Sequence, residues 1–474
     1  MNRRSLSMPW IVMTAAVSAL ALQPQSAAGL LTAFFEALNS DDPGAVTAFY
    51  AEGATEQFRA RRSPEQERAF YERVHSELGR LTVRELRRVS PARAVATLSA
   101  EKVEMPVEFA FELAGGKIDG FSVSVGGPPG GREARLQLPP GGGSDELWAS
   151  LDRRLRELAA ADEFSGVVLV AENGEPVFQR GYGQADRGAG RRVAIGTRFD
   201  VGSITKMLTK IAIAQLAQAG RLELTDTIAR HLPEYPDPDV ARKVTIQQLV
   251  DHSSGLGDIF NRRWEEADRS RFLEPVDFFA LFAGEPLQFE PGERRAYSNA
   301  GYVTLGAIVA AVSARPYSEY VAEKIFEPAG MTASGFPARD GSDPEIAVGY
   351  TRGGPTGGHT GAVGPLESNL GMLPVRGCPA GSSTHAAADL LKLDRALRSG
   401  ELLDPEWTAW VFGSPTVEDG SDLQLGVAGG GPGVSAGWES DGALTVIVLA
   451  NLDPPAGEGL AVELYRSLSE RRVP

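Results

Sequence analysis

The chain has 474 residues, 42% of them hydrophobic and 23% charged, a balance that sustains a large buried core and excludes a peptide, a fibre or a disordered tail. Its 47 Lys and Arg against 62 Asp and Glu leave a net charge of −15, which repels phosphate backbones and anionic lipid surfaces, so nucleic acid is not an expected partner. The single cysteine, Cys378, rules out an intrachain disulfide, a zinc ribbon and an iron–sulfur site.

From the N-terminus, Arg3 and Arg4 precede an apolar run from Trp10 to Leu22, and Ser26-Ala27-Ala28 offers the small residues that signal peptidase reads. The expectation is a signal peptide over residues 1–28 and an exported protein, periplasmic or extracellular. The run falls short of the ~20 residues of a spanning helix, and no later segment is apolar for long enough, so no transmembrane span is expected. Leu30, Leu31, Phe34, Phe35 and Leu38 then recur at helical spacing, a second helix opens at Ala45–Tyr50, and a third is expected near Pro64–Leu78. Strand-like runs follow at Ala94–Leu98, Val107–Leu113 and Ile118–Val125, the last two joined by Gly115-Gly116 as in a hairpin.

Helices first and antiparallel strands afterwards make a small α+β unit. With Phe34-Phe35-Glu36-Ala37-Leu38-Asn39 and Lys117-Ile118-Asp119-Gly120-Phe121, this order resembles the NTF2-like (SnoaL-like) superfamily over residues 29–125. The resemblance implies a cone-shaped domain and leaves its role open among enzyme, ligand pocket and dimerisation module, a homodimer through this domain included. His75, on a charged helix with Glu67 and Glu72, reads as a solvated residue. Two Gly/Pro-rich stretches, Gly126–Gly131 and Pro139–Gly143, mark a linker over 126–144.

The second domain, 145–474, begins and ends with β structure. Val167–Val170 leads through Asn173-Gly174 to Val177-Phe178, and Gly433–Trp438 leads through Asp441-Gly442 to Leu444–Leu449 before a helix carrying Leu460, Leu464 and Leu468. Helices are expected between them at Ile204–Ala219, Ile246–His252, Ala300–Val312 and Ala386–Ser399. An antiparallel sheet built from both ends, with a helical lobe inserted, leaves a groove of the kind in which sites form.

Ser203 and Lys206 stand three residues apart at a helix start, so a hydroxyl and an amine share one face, and the helix N-terminus favours developing negative charge. Tyr297-Ser298-Asn299 follows 94 residues later, where a phenol can assist proton transfer and an amide can bind a substrate carbonyl or the lysine. Phe199–Lys206, Leu249–Leu256, Tyr297–Tyr302 and Gly377-Cys378-Pro379-Ala380-Gly381 occur in order. Together they resemble the serine β-lactamase-related family, on its class C, D-alanyl-D-alanine peptidase and esterase side, over about residues 150–452. The resemblance implies an acyl-enzyme on Ser203, with Lys206 and Tyr297 sharing general acid and base duty and Asn299 positioning the substrate or the lysine. The N–H of Ser203 and one from the strand near Gly429 and Gly430 would form the oxyanion hole. The substrate would be a small or peptide-like acyl compound.

The family's third element, Lys or His, any residue, then Gly, reads Val427-Ala428-Gly429 here. Loss of that polar side chain disfavours substrates that carry a carboxylate, β-lactams among them. It also keeps open a rival, a catalytically impaired penicillin-recognising or scaffold protein of the same fold. His359-Thr360-Gly361 has the letters of the element but sits in a glycine-rich loop. Gly433-Val434-Ser435-Ala436-Gly437 spells a nucleophile elbow, yet a strand pattern follows and no histidine lies beyond His385. His252 is expected to hold a turn, Ser382-Ser383-Thr384 to cap the helix after His385, a Ser203–His385 pair is a weaker option, and His231 reads as loop. Without a His-Glu-x-x-His, EF-hand or Walker pattern, no cofactor or metal is expected.

Overall fold

The structure, a computed structural model, describes residues 27–60, 67–68, 70–71, 74–75, 78–90, 93–102, 107–125, 136, 138, 144–352, 365–413 and 423–472. Residues 1–26 of the expected signal peptide, nearly all of the expected linker, and His359 lie outside them. The chain divides into two compact units, Met1–Gly131 and Arg132–Pro474. No helix among the described residues is long and apolar enough to cross a membrane.

In the first unit, α1 (Ala27–Leu38), α2 (Gly44–Gly53) and α3 (Glu56–Ala60) precede four antiparallel strands, β1 (Leu81–Ser90), β2 (Arg93–Ala100), β3 (Val107–Ala114) and β4 (Lys117–Val125), hydrogen-bonded in that order. The apolar side of α1 is buried at Leu30, Leu31, Phe34, Phe35 and Leu38. Phe34 meets Phe35 at 5.2 Å and Phe111 at 5.4 Å between ring centroids, and such pairs add about 0.5–1.5 kcal/mol each beyond the area they bury. Aromatic rings thus fill the space between helix and sheet. β1 is missing from the sequence reading because charges at 84, 85, 87 and 88 mask its alternation and a bulge between Val83 and Glu85 breaks the period of two. His75 is partly exposed and also makes contacts the sequence reading lacked: its Nε2 lies 2.7 Å from the Leu38 carbonyl and its ring 4.2 Å from Tyr71, so it ties two helical segments together.

The second unit opens with α4 (Ser144–Ala160) and the hairpin β5 (Gly166–Glu172) and β6 (Glu175–Tyr182). The helical lobe contributes α5 (Thr205–Gln218), α6 (Ile246–Val250), α7 (Asn299–Ser313) and α8 (Ala387–Arg398). The chain then returns through β7 (Leu425–Gly431), β8 (Val434–Ser440), β9 (Leu444–Ala450) and α9 (Glu458–Arg472). The five-stranded antiparallel sheet runs β7-β8-β9-β5-β6, so both ends of the unit build it and β7 is an edge.

The sheet is covered on both faces. Val168, Val170, Val446 and Val448 share a core with Leu151, Leu155, Leu460 and Leu464 of α4 and α9. Val167, Leu169, Ile447 and Leu449 share another with Leu208 and Ile211 of α5 and Val303 and Ile308 of α7. β5 is therefore buried at six successive positions, which is why it reads as a continuous apolar run. Each such aliphatic side chain contributes about 1.5–3 kcal/mol by leaving water. Helix α7, buried from Ala300 to Val309, is capped by Ser298, whose Oγ accepts from the Gly301 N–H at 3.0 Å.

Candidate active site

The nucleophile turn is assembled by close backbone contact. Ser203 lies in a single 3-10 turn, Gly202–Ile204, that feeds α5. The Asp200 carboxylate accepts the Gly202 N–H at 2.7 Å, and Gly202 adopts φ +50°, a conformation that favours glycine. A Cβ at Gly202 would stand 2.9 Å from the Gly430 nitrogen, and one at Gly429 only 1.9 Å from the Val201 carbonyl oxygen. Glycines on both sides thus let edge strand β7 run against the turn. From beneath, Thr205 Oγ1 donates to the Gly202 carbonyl, and it lies 2.8 Å from Ser383 Oγ.

The cleft brings Ser203, Lys206, Tyr297 and Asn299 together. Ser203 Oγ is 2.7 Å from the Tyr297 hydroxyl and 3.2 Å from Lys206 Nζ. Lys206, 8% exposed, also donates to Asn299 Oδ1 at 2.7 Å and to the Ala380 carbonyl. Those three acceptors use all three protons of an ammonium. A neutral amine keeps its N–H bonds to Asn299 and Ala380 and turns its lone pair to Ser203. Burial pushes the Lys206 pKa down to about 8, against opposing effects of Cys378 and Asp258. Its nitrogen also lies 4.7 Å from the centre of the Tyr297 ring and 5.5 Å from that of Tyr302.

Tyr297 exposes 56% of its surface, yet desolvation at its hydroxyl end raises its pKa above the ordinary phenol value, with the Ser203 hydrogen bond opposing. His252 holds it in place. The imidazole ring lies 4.6 Å from the Tyr297 ring and 5.1 Å from that of Tyr302, and its Nδ1 accepts the Ser298 N–H at 3.1 Å, which leaves its proton on Nε2. Burial and the neighbouring Lys206 push its pKa down to about 4. His252 closes α6 at φ +58°, so the turn it was expected to hold is also the seat of the phenol.

β7 carries the remaining expected residues. Gly431 pairs with Val434 across a two-residue loop, Gly430 with Ser435 and Gly429 with Ala436. Because hydrogen-bonded and non-hydrogen-bonded pairs alternate, Gly429 and Gly431 direct their N–H groups to β8 and Gly430 directs its own to the open edge, beside Ser203. Val427 takes the place of a cation. It is partly buried and packs on the apolar core.

Other expectations are corrected. His385 is fully enclosed, with Nε2 2.8 Å from Ser383 Oγ and Nδ1 2.9 Å from Ser334 Oγ, so it does not pair with Ser203. Thr384–His385 is a short strand and Ala386 is the N-cap of α8, because Ser383 is taken up beneath the nucleophile turn instead of capping. His231 ends the short helix Ile228–His231 beside the Asp226 carboxylate at 2.8 Å, not in a loop. Ser435 is buried in β8, where its Oγ accepts the Gly457 N–H at 2.7 Å. Two partners escaped the sequence reading: the Ala380 carbonyl, within a noted motif but with no side chain to mark it, and Asp258, just beyond His252–Leu256.

Comparison with known proteins agrees with this architecture. The beta-lactamase family matches residues 151–468. Over 265 residues the chain is 32% identical to PbpX of Bacillus subtilis (strain 168), a protein named for penicillin binding, covering 55% of this chain and 62% of that protein. The matched stretch is thus under two thirds of that relative's length. A penicillin-binding protein from Bacillus halodurans superimposes with a TM-score of 0.57 at 30% identity, covering 66% of this chain and 99% of the other. The D-amino acid amidase of Ochrobactrum anthropi SV3, complexed with D-phenylalanine, shares the fold at TM-score 0.54 and 21% identity, covering 68% of this chain and 99% of that one. Through residues 151–468 the chain belongs to the beta-lactamase family.

Proposed function

We propose that the protein is an exported serine hydrolase that cleaves a neutral ester or amide through an acyl-enzyme on Ser203. The observation that carries this reading is the convergence on Ser203 Oγ of the Tyr297 phenol at 2.7 Å and a buried, three-fold-anchored Lys206 at 3.2 Å. Neutral Lys206 takes the Ser203 proton as Oγ bonds to the substrate carbonyl carbon. The Ser203 and Gly430 N–H groups receive the oxyanion. Tyr297, held neutral by its raised pKa, protonates the leaving alcohol or amine as its bond to carbon breaks, and recovers a proton from Lys206. Water then attacks the acyl-enzyme, gives its proton to the same pair, and Ser203 leaves reprotonated.

Support for a neutral substrate comes from Val427, which offers a carboxylate nothing to bind. The same residue supports a second reading, a penicillin-recognising protein that acylates and stalls, or a scaffold without turnover. Export rests on the signal-like residues 1–28. For the first unit, we propose an NTF2-like module that mediates homodimerisation, since aromatic rings occupy the space that a ligand pocket would need.

The test is the intact mass of the purified protein after a fluorophosphonate probe, beside Ser203→Ala, with nitrophenyl butyrate turnover on the same samples. Labelling and turnover that both vanish in the variant are expected. Labelling without turnover favours the stalled reading, and neither in the wild type overturns the hydrolase.

A further inference from the structure

Asn299 can serve Lys206 only in one of its two amide orientations. Its Oδ1 must face the lysine, which arrives as a donor at 2.7 Å, and its Nδ2 must then find an acceptor. That acceptor is the half-buried carboxylate of Asp258, at 3.1 Å through Oδ1 and 2.9 Å through Oδ2. An ionised carboxylate has two acceptor oxygens and no proton to give, so it rejects the flipped amide, whereas an amide or hydroxyl at the same place would tolerate either orientation. The same Oδ1 accepts the Phe260 N–H at 2.9 Å, which ties the carboxylate to its own loop and fixes its direction.

We infer that Asp258 is a positioning residue for the reaction proposed above: through the Asn299 amide it holds Lys206 with its lone pair on Ser203. The inference rests on that reading of the site. Asp258 does not touch the nucleophile and acts through another side chain. Its charge has a separate and opposite effect, since it favours the ammonium form of Lys206, so its removal should let the amine become neutral at lower pH. The other titratable groups around that amine are Tyr297, Tyr302, His252 and Cys378, with Lys210 one turn further along α5.

The experiment is the pH profile of nitrophenyl butyrate hydrolysis by the full chain, for wild type, Asp258→Asn, Asn299→Ala and the double variant, with melting temperatures alongside. Asp258→Asn should lower kcat about 10- to 100-fold through misplacement of the base, leave KM within about twofold, and move the acid limb to lower pH. In the Asn299→Ala background the same change should cost little more, because the amide that transmits it is gone. A kcat and acid limb like those of wild type overturn the inference, as does an equal loss of kcat in both backgrounds. If Asp258→Asn melts early, Asp258→Glu keeps the charge, and an acid limb displaced as in Asp258→Asn also overturns it. A wild type that neither labels nor turns over overturns the hydrolase reading itself, which separates that failure from this one.

Discussion

Two serines in the second unit stand in similar letters and opposite surroundings. Ser203, in Gly202-Ser203-Ile204, lies at the mouth of a cleft between edge strand β7 and the helical lobe, with its hydroxyl between an amine and a phenol. Ser435, in Gly433-Val434-Ser435-Ala436-Gly437, lies inside the sheet with its hydroxyl turned to the N–H groups of Gly457 and Glu458 at 2.7 and 3.3 Å. A hydroxyl engaged by backbone donors inside a core has no route to substrate and no base beside it. Nucleophilicity thus belongs to the neighbours, and a sequence pattern around a serine does not specify them.

The sharpest test of this contrast is Ser203→Ala, expected to remove turnover by about 10,000-fold or more while the melting temperature stays nearly unchanged. A large loss of stability would make Ser203 structural and erase the distinction. Next comes Lys206→Met, expected to lower kcat about 1,000-fold or more. In the wild type the base must be neutral, so kcat/KM should rise with pH through about 8, the folded pKa of Lys206. A profile flat from pH 6 to 9 would remove Lys206 from that role.

The enclosed side of the unit should respond in stability instead. His385 is held neutral, its pKa pushed down to about 4 by burial from an ordinary value of 6.5. The unfolded chain then binds the extra proton between those values. Stability is full above pH 6.5 and declines as pH falls toward 4, by an amount on the order of 3 kcal/mol. Acid melts of wild type and His385→Gln that run parallel through this window would contradict it. Ser435→Ala should cost about 1–3 kcal/mol in denaturant unfolding by stranding the Gly457 and Glu458 N–H groups, with kcat of the folded protein intact. The smallest effect is expected from Val427→Lys: a cation on β7 should improve turnover of carboxylated over neutral esters about 2- to 5-fold. No change in that ratio would mean the side chain at 427 does not reach the substrate.

Most of the architecture was legible because local chemistry announces it. Asn173-Gly174 and Asp441-Gly442 lie at the hairpin turns, the run at Val167–Val170 marks a strand buried on both faces, and the apolar spacing of α5 and α7 marks helices driven into a core. β1 was illegible, since its charges and its bulge hide the period of two. In the site, the three-residue spacing of Ser203 and Lys206 at a helix start was legible from residue types, while the roles of those two and of Tyr297 and Asn299 are what the resemblance to the family implies. The family, the covalent identity of those groups and the missing cation at 427 can all be read from residue types along the chain. Tertiary structure alone decided which group stands within hydrogen-bond reach of which. The Ala380 carbonyl, the Asp258 brace behind Asn299 and the His252 ring beside Tyr297 are contacts across long loops. So is the approach of Gly430 to Ser203. Their physical reason is distance, and distance between residues far apart in the chain is set by how the cores pack.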